Sequence, residues 1–393
     1  MNRSGIIAIF AILLAACSSP APTLSLPPTL EPTTSSAESE EAVVASATIA
    51  VAEEVQEVAP TPLPETATPA PTPTPPSDAV ACPLTGLDVS EAVLAERRPL
   101  QVQLGNSNPE RPQFGLQQAD MVFETLSEGG ITRFTAMYLC RDAAEIAGIR
   151  SGRLINLQIV PMFDAIFVHV GASGPVQKMF EDDIRIRDSS LDFFRNHPGF
   201  VLQPERRRAP FDVFASTDSL FAAAEERNIE ILGQPLPEIM FDPETPSGGV
   251  SISSATIRHH SSYWVRWKWD SNADVWTRHL SNENNSDGDS QFVDAATGQA
   301  LTTKNIVVIR AFHRQTDIIE DSLGSRSVEV ELLGSGEAWF LRDGQFYEGE
   351  WVRNELSEWF DLTLNNGSAY TLTPGNTYIH FYQPGLPLDV VEN

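Results

Sequence analysis

One stretch of this chain cannot contribute to a compact fold. Between Ser18 and Ala81 there are 13 prolines, nine acidic residues, no lysine or arginine and no aromatic residue. A segment of this composition cannot bury enough apolar surface to offset the entropy lost on ordering. It predicts a disordered tether over 18–81, extended where proline is dense. Any folded part must therefore lie within residues 82–393, which number 312.

The residues ahead of the tether have the pattern of an export signal. A single positive charge at Arg3 precedes an apolar run over 6–16, which is shorter than the roughly 20 residues that span a bilayer. The run ends in Leu-Ala-Ala-Cys, the pattern of a bacterial lipobox, in which the cysteine accepts diacylglycerol. We predict a signal peptide over 1–17 and a mature N-terminus at Cys17 carrying acyl chains such as palmitate. Such a protein is extracytoplasmic and anchored to the cell membrane by its lipid; an ordinary secretory signal is the alternative.

The predicted folded part is strongly acidic. Residues 82–393 contain 25 basic and 44 acidic residues, a net charge near −19. This balance excludes nucleic-acid binding through a general basic surface and flat adsorption to anionic lipid. Any anion site must be a local pocket. No cysteine or histidine set has zinc-site spacing, so we predict neither a metal nor a cofactor.

Two sequence patterns divide the folded part. From residue 82 onward, short β-branched or aromatic runs alternate with helical stretches, which is typical of an α/β layer. A Pro/Gly-rich passage at 233–249 interrupts this pattern, and beyond it the apolar runs have strand character and are separated by turn residues. We predict an α+β or α/β architecture: an N-terminal α/β domain over 82–240, followed by a β-rich, mostly antiparallel C-terminal domain over 250–384.

One strand of the second domain has a clear two-sided pattern. In "YWVRWKWD" (263–270), Tyr263, Val265 and Trp267 lie on one face, and Trp264 and Arg266 lie on the other. A core strand with partly exposed cations explains this alternation. A carbohydrate-stacking platform is the alternative.

An arginine-bearing stretch provides the first candidate site. In "EGGITRFTAMYLCRDAAEIAGIRSGR" (128–153), Arg133 lies on a predicted strand, and Arg150 and Arg153 lie on a turn into a helix. Arginines at a helix N-terminus can form an anion-binding cradle. In an acidic protein they can equally form a structural lattice, with partners among Glu124, Glu128 and Asp164.

The stretch "ERRRAP" (205–210) adds a fourth candidate anion-binding residue, Arg208. If this stretch is extended, Arg206 and Arg208 face the opposite side from Arg207. One face would then complete an anion clamp. Solvated surface charge is the alternative.

The stretch "FDAIFVHVGAS" (163–173) indicates a polar pocket. It ends a predicted strand at His169 and continues through a glycine turn to Ser173, and open α/β sheets bind ligands at such strand ends. His169 is a candidate general base. A hydrogen-bonded core histidine is the alternative, and Ser173 lacks the Gly-x-Ser-x-Gly elbow of a hydrolase nucleophile. No catalytic residue is assigned.

Cys82 and Cys140 are the two thiols that remain after the lipobox cysteine. In an exported protein such a pair is a candidate disulfide. No spacing rule applies to a single pair, so the bonded and free states both stay open.

Several ordered blocks resemble a known family. They include "CPLTGLDV" (82–89), "IRSGR" (149–153) and "DAIFVHVGAS" (164–173), with "GSGEAWFLRDGQFYEGEW" (334–351) and "LTPGNTYIHF" (372–381) further on. These blocks resemble the YerB-like bacterial lipoprotein family, domain of unknown function 3048, in both its N-terminal and C-terminal domains. The resemblance implies an envelope lipoprotein with an α/β domain followed by a β-rich domain, and it carries no established activity.

The chain departs from this family pattern at one point. The family usually has His and then Asn after the Ala-Pro pair, whereas Phe211 and Asp212 stand here. The departure counts against a catalytic role for that block.

Two functions from different classes are compatible with these observations. The first is a non-enzymatic module that binds a cell-wall component such as peptidoglycan, another envelope polymer or an envelope protein. The second is an enzyme acting on a phosphate- or pyrophosphate-bearing envelope substrate through Arg133, Arg150, Arg153 and Arg208. The orientation of the guanidinium groups distinguishes them: convergence on an open pocket favours the enzyme, and pairing with buried carboxylates favours the module.

Overall fold

The computed structural model describes residues 78–95, 97–231, 235–282 and 285–393. The predicted signal peptide, Cys17 and nearly all of the predicted tether lie outside these residues. Strand β1 (Ala79–Ala81) pairs with β2 (Asp88–Ser90), so the folded part includes residues that we assigned by composition to the tether. The backbone hydrogen bonds of this short pair place the start of the fold slightly earlier than predicted.

The first part of the described chain contains both helices and strands. Helix α5 (Thr217–Glu226) illustrates why they form where they do: the Ser216 hydroxyl accepts a hydrogen bond from the Ser219 N–H at 3.0 Å, which caps the first turn. The elements are β1 and β2, α1 (Glu91–Ala95), β3 (Leu100–Gly105), β4 (Met121–Leu126), β5 (Thr132–Tyr138), β6 (Ile146–Ala147), α2 (Asn156–Phe163), β7 (Ile166–His169), α3 (Gly174–Asp182), α4 (Ile184–Arg187), β8 (Ser190–Asp192), β9 (Val201–Leu202), β10 (Val213–Ala215) and α5 (Thr217–Glu226).

The second part consists of strands, as predicted. They are β11 (Val250–His260), β12 (Tyr263–Asp270), β13 (Val275–Asn282), β14 (Asn285–Gln291), β15 (Thr302–Thr303), β16 (Asn305–Arg310), β17 (His313–Ile319), β18 (Arg326–Val330), β19 (Gly334–Arg342), β20 (Gln345–Arg353), β21 (Asp361–Leu364), β22 (Thr377–Tyr382) and β23 (Leu388–Glu392). Their pairings with one another are antiparallel except for β16 with β22. The mostly antiparallel character predicted from the turn residues is therefore confirmed.

One large sheet runs through both parts of the described chain. Its strands follow the order β14-β13-β12-β11-β20-β19-β16-β22-β4-β5-β3-β7-β8. The two parts join where β22 pairs in parallel with β4, in a register that sets Thr377 opposite Met121 and His380 opposite Glu124.

Side chains from both parts share the core beside this junction. The rings of Phe123 and Phe381 stack with centroids 5.8 Å apart, and Trp359 lies edge-on to Phe123 at 6.3 Å. Each such ring contributes about 1.5–3 kcal/mol on burial. Separation of the two parts would expose this shared surface.

The alternation predicted for β12 is present. Tyr263, Val265 and Trp267 are buried, whereas Trp264 on the other face is half-buried between the guanidinium groups of Arg258 and Arg266. The strand is a core strand whose cations cover an aromatic ring.

Candidate functional site

The "IRSGR" segment crosses the edge of the sheet where β3, β4 and β7 end. These strands run in the same direction, because β3 pairs in parallel with β7 while β3 and β4 both pair antiparallel to β5. Backbone hydrogen bonds hold the segment there. The Arg150 N–H donates to the Gln103 carbonyl at 2.8 Å, and the Gly152 N–H donates to the Gly171 carbonyl at 2.8 Å. Ligands often bind at the carboxyl ends of parallel strands. The contacts of the side chains at this edge therefore indicate whether they are available to a ligand or paired within the protein.

Two of the predicted arginines converge on one carboxylate. Glu128 accepts one hydrogen bond from Arg133 Nη2 at 2.8 Å and one from Arg153 Nε at 2.7 Å. Arg153 Nη2 also contacts Oε1 of Glu128. All three side chains are buried. The arrangement is a compact Arg–Glu–Arg cluster.

The pKa shifts in this cluster indicate that all three groups stay charged. Burial by itself would raise the pKa of Glu128, but the hydrogen bond from Arg153 and the charges of both arginines hold it well below its ordinary value. Burial and the nearby charge of Arg153 lower the pKa of Arg133 to about 10. At neutral pH the cluster is therefore a carboxylate bound by two guanidinium ions.

A hairpin from the second part of the chain reaches the same cluster. Glu320, which follows β17, has a fully buried side chain, and its Oε2 lies 3.5 Å from Arg153 Nε. A second carboxylate thus faces Arg153.

The third predicted arginine has its own partner. Arg150 Nε lies 2.7 Å from Oε1 of the buried Glu110, and Arg150 Nη1 donates to the Pro210 carbonyl at 3.1 Å. Its guanidinium group also covers the Phe211 ring, 5.2 Å from the centroid. Phe211 therefore makes a packing contact where the family pattern has histidine.

The "ERRRAP" stretch is a turn, so the alternation argument for its arginines was wrong. In a turn, neighbouring side chains need not point to opposite faces, and Arg206 and Arg207 both cover Phe114, at 4.7 and 5.2 Å from its centroid. Arg207 Nη1 donates to the Glu110 carbonyl at 2.5 Å. Arg208 is exposed.

Arg133, Arg150 and Arg153 thus each face a buried glutamate. Of the carboxylates expected as partners, only Glu128 serves these arginines in the described contacts: Asp164 pairs with Arg98 at 2.7 Å, and Glu124 pairs with Arg278 at 2.9 Å. The geometry favours a structural lattice over an open anion pocket at these positions.

His169 is buried and bonded on both ring nitrogens. Its Nδ1 lies 2.9 Å from the Gly171 carbonyl, which can only accept, so Nδ1 carries the proton and Nε2 accepts from the Ser190 hydroxyl at 2.8 Å. The ring stacks on Phe167 with centroids 4.4 Å apart. Burial lowers its pKa, partly opposed by the charge of Asp192. These contacts favour the core interpretation, and the general-base role stays a prediction.

Ser173 does not contact His169 through any described hydrogen bond. It precedes α3, and its hydroxyl is buried without a hydrogen-bond partner among the described residues. Sequence reasoning grouped Ser173 with His169, whereas Ser190 is the hydroxyl that His169 engages.

Cys82 and Cys140 form a disulfide. The bond closes a loop with a sequence separation of 58 residues. It ties the start of the fold to the segment that follows β5.

A second polar cluster, which sequence reasoning missed, lies at the junction of the two parts. Glu124 on β4 accepts from Thr132 at 2.7 Å, from the Tyr263 hydroxyl at 2.8 Å and from Arg278 Nη2 at 3.0 Å. Burial by itself would raise the pKa of Glu124, but the charge of Arg278 keeps it well below its ordinary value. The cluster is a completely buried, hydrogen-bonded ion pair.

Within the described residues, Glu124, His259 and His380 are also close enough to hold a metal ion. The donor set does not fit one. Trp267 Nε1–H donates to His380 Nε2 at 3.0 Å, so the neutral ring keeps its proton on Nδ1, the nitrogen that faces His259 at 3.1 Å. Arg278 supplies a positive charge against the same carboxylate. The group is a hydrogen-bond network in which both histidines are neutral.

A signal for this network exists in the sequence. Period-two alternation places Arg278 between Trp276 and Leu280 on the buried face of β13, and His380 lies inside the apolar run of β22. A polar residue on a buried strand face requires a partner. The pattern indicates that partners exist, but not which residues they are.

No helix among the described residues has the length and apolar character needed to cross a membrane.

Comparison with known proteins agrees with this architecture. The model for the N-terminal domain of the protein of unknown function DUF3048 matches residues 84–230, and the model for its C-terminal domain matches residues 255–379. The chain is 29% identical over 305 residues to "Putative lipoprotein YerB" of Bacillus subtilis, covering 76% of this chain and 85% of that protein. The crystal structure of YerB from Bacillus subtilis matches with a TM-score of 0.67 at 24% identity, covering 80% of this chain and 100% of that one, a likeness that establishes the fold. The chain therefore belongs to the DUF3048 family, and it is similar to a protein named as a lipoprotein.

Proposed function

We propose that this protein is a lipid-anchored, extracytoplasmic accessory module that binds another component of the bacterial envelope without catalysing a reaction on it. The observation that carries the proposal is the pairing of Arg133 and Arg153 with Glu128, and of Arg150 with Glu110. The enzyme alternative requires these guanidinium groups to meet a substrate phosphate. In this geometry they stabilise the fold.

The N-terminal sequence supplies the anchor. Cys17 is the lipidated residue in this proposal, and the tether follows it. A flexible chain of this length has a reach of about 40–50 Å, and proline-rich extension increases that reach. The module would sample a shell above the membrane that contains both membrane proteins and wall polymers.

An open groove of about 560 Å³ at the end of β16 and the start of β19 is the contact surface that we propose. Phe312 and Leu333 on its walls are 53% and 47% exposed. Arg310 at the rim lies 4.4 Å from the centroid of the Trp339 ring and pairs with Glu337. Exposed apolar side chains with a charged rim are typical of a protein-binding surface. A protein segment is therefore the favoured occupant, and a wall polymer is the competing one.

Site-specific cross-linking in cells tests this proposal. A photoreactive amino acid replaces Leu333 in the full-length lipidated protein, and the matched control carries it at Leu202, which is 53% exposed on β9. We expect one envelope protein to be cross-linked from position 333 and lost when Phe312→Glu is added.

Two results would count against a protein partner. Equal adducts from positions 202 and 333 indicate non-specific proximity. An adduct at 333 that is removed by wall-degrading enzymes assigns the groove to a polymer.

A further inference from the structure

A small pocket between α3, β8 and the end of α5 contains a group of positive side chains. Its volume is about 210 Å³, and its lining includes Arg187, Arg195, Arg227, His197, Ser190 and Glu181. None of these residues belongs to the arginine set predicted from the sequence. In a chain with a net charge of −27, such a grouping is a local exception.

The cationic side chains extend toward solvent. The side chains of Arg187 and Arg195 are 51% and 50% exposed, and Arg227 is exposed at the end of α5. This orientation contrasts with Arg133 and Arg153, which are buried against Glu128. Guanidinium groups arranged around an open cavity suit bidentate recognition of phosphate or carboxylate.

His197 adds a neutral ring to the pocket lining. Its Nδ1 accepts a hydrogen bond from the Asp192 N–H at 2.9 Å, so the ring proton is on Nε2. Burial and the charge of Arg227 lower the pKa of His197, which keeps the ring neutral at pH 7. An anion in the pocket therefore meets guanidinium groups beside a neutral imidazole ring.

Buried contacts hold the inner wall in place. The Ser190 hydroxyl donates to His169 Nε2 at 2.8 Å, and Asp192 accepts from the Gly171 N–H at 2.9 Å and the Phe194 N–H at 3.0 Å. A wall held by buried hydrogen bonds needs little reordering when a ligand binds.

Carboxylates of the chain itself compete for the same cations. Glu181 lines the pocket and pairs with Arg195, whose Nε also lies 3.6 Å from Asp192 Oδ2. Arg187 pairs with Asp188 at 2.8 Å. Glu181 occupies the position at Arg195 that a ligand oxyanion would take.

We propose that this pocket binds a small oxyanion group, phosphate or carboxylate, carried by an envelope ligand. The volume accommodates one such group and its nearest atoms. Arg195 and Arg227 provide the charge, and Glu181 weakens binding by competition. The pocket is separate from the groove at Leu333 and does not depend on the function proposed for that groove.

Calorimetric titration of the full-length lipidated protein in detergent tests the pocket. Inorganic phosphate is the first probe and acetate the second, each at constant ionic strength. We expect saturable binding of at least one anion, with Arg227→Ala and Arg195→Ala each weakening it about tenfold, since tenfold corresponds to about 1.4 kcal/mol. Glu181→Gln should strengthen binding severalfold, because it removes the competing charge.

The matched control is Arg185→Ala. Arg185 lies two residues from Arg187 on α4, but it pairs with Asp183 and does not line the pocket. We expect it, and Leu333→Glu in the groove, to leave anion binding unchanged. Binding of phosphate alone assigns a phosphate-bearing ligand, and acetate binding of equal strength assigns a carboxylate. Absence of saturable binding, or equal losses in the Arg185 and Arg227 variants, would overturn the proposal.

Discussion

Glu124 and Arg278 form an ion pair at 2.9 Å in which neither side chain has any exposure to solvent. The pair joins β4 in the first part of the chain to β13 in the second. His380, opposite Glu124 in the parallel β22–β4 register, places Nδ1 3.3 Å from the same carboxylate. Moving the two charges from water into the interior costs several kcal/mol per ion. The pair therefore acts mainly by making any strand pairing that buries one of the two charges without the other unfavourable.

Arg278→Met should therefore be strongly destabilising. It leaves the buried Glu124 carboxylate without its cation, and we expect the free energy of unfolding to fall by about 3–5 kcal/mol. Urea denaturation measures this change. Adding Glu124→Gln to Arg278→Met should restore a large part of the loss, because both charges are then gone.

The matched control is the exposed pair Arg314–Glu329 on the β17–β18 hairpin. Arg314→Met should cost less than about 1 kcal/mol, because water screens exposed charges. Similar costs at positions 278 and 314, or no recovery in the double variant, would contradict a buried ion pair.

Stability should decrease on acidification because of His259. Burial lowers its pKa to about 4 from the ordinary 6.5; the charge of Glu124 opposes the shift, and those of His313 and Arg278 add to it. The neutral ring of His380 also faces it at 3.1 Å. Between these two pH values the unfolded chain binds a proton at this ring and the folded protein does not, so stability falls as pH is lowered from 6.5. The lost free energy is on the order of 3 kcal/mol.

Unfolding measured by urea at a series of pH values between these limits tests this prediction. His259→Gln should reduce the slope of stability against pH, whereas His260→Gln at the exposed neighbouring position should retain the wild-type slope. An unchanged slope in the His259 variant would show that other groups cause the acid sensitivity.

Loss of the Cys82–Cys140 disulfide should destabilise the folded part. With a sequence separation of 58 residues, the loop-closure entropy removed from the unfolded chain corresponds to about 4 kcal/mol. We expect the double variant Cys82→Ala/Cys140→Ala to unfold at a lower temperature than the oxidised protein. A reducing agent should lower the melting temperature of the wild type and leave that of the variant unchanged; equal melting temperatures for all samples would be inconsistent with the bond.

Membrane attachment should depend on Cys17. Cys17→Ser removes the thiol that accepts the lipid, so the protein should lose incorporation of labelled palmitate and leave the membrane fraction. The same substitution at Cys82 should not change palmitate labelling. Continued palmitate labelling of the Cys17 variant would exclude the lipobox interpretation.

Much of the secondary structure was predictable from local patterns. The short β-branched or aromatic runs predicted from residue 82 onward include β3 and β4, and the strand-like runs predicted beyond residue 249 include β22. The alternation in "YWVRWKWD" identified the buried face of β12. Such predictions succeed because side-chain direction on a strand repeats every two residues, whatever lies across the sheet.

The partners of the charged residues were not predictable in this way. Glu124 was one of three carboxylates expected near the site arginines, yet it binds Arg278, and the partner of Arg150 is Glu110, which was not considered. His169 was predicted either to line a polar pocket or to be a hydrogen-bonded core residue, but its partner Ser190, which lies beyond two helices in the chain, was not predicted.

The sequence by itself determined the composition boundary at the tether, the lipobox pattern at Cys17, several strand positions and the family. Only the tertiary structure decided which carboxylate faces each of the arginines Arg133, Arg150 and Arg153. The physical reason is that strand direction follows from neighbours a few residues apart, whereas the partner of a buried charge depends on strands brought together from distant parts of the chain. The parallel pairing of β22 with β4 is one such arrangement, and it sets His380 beside Glu124.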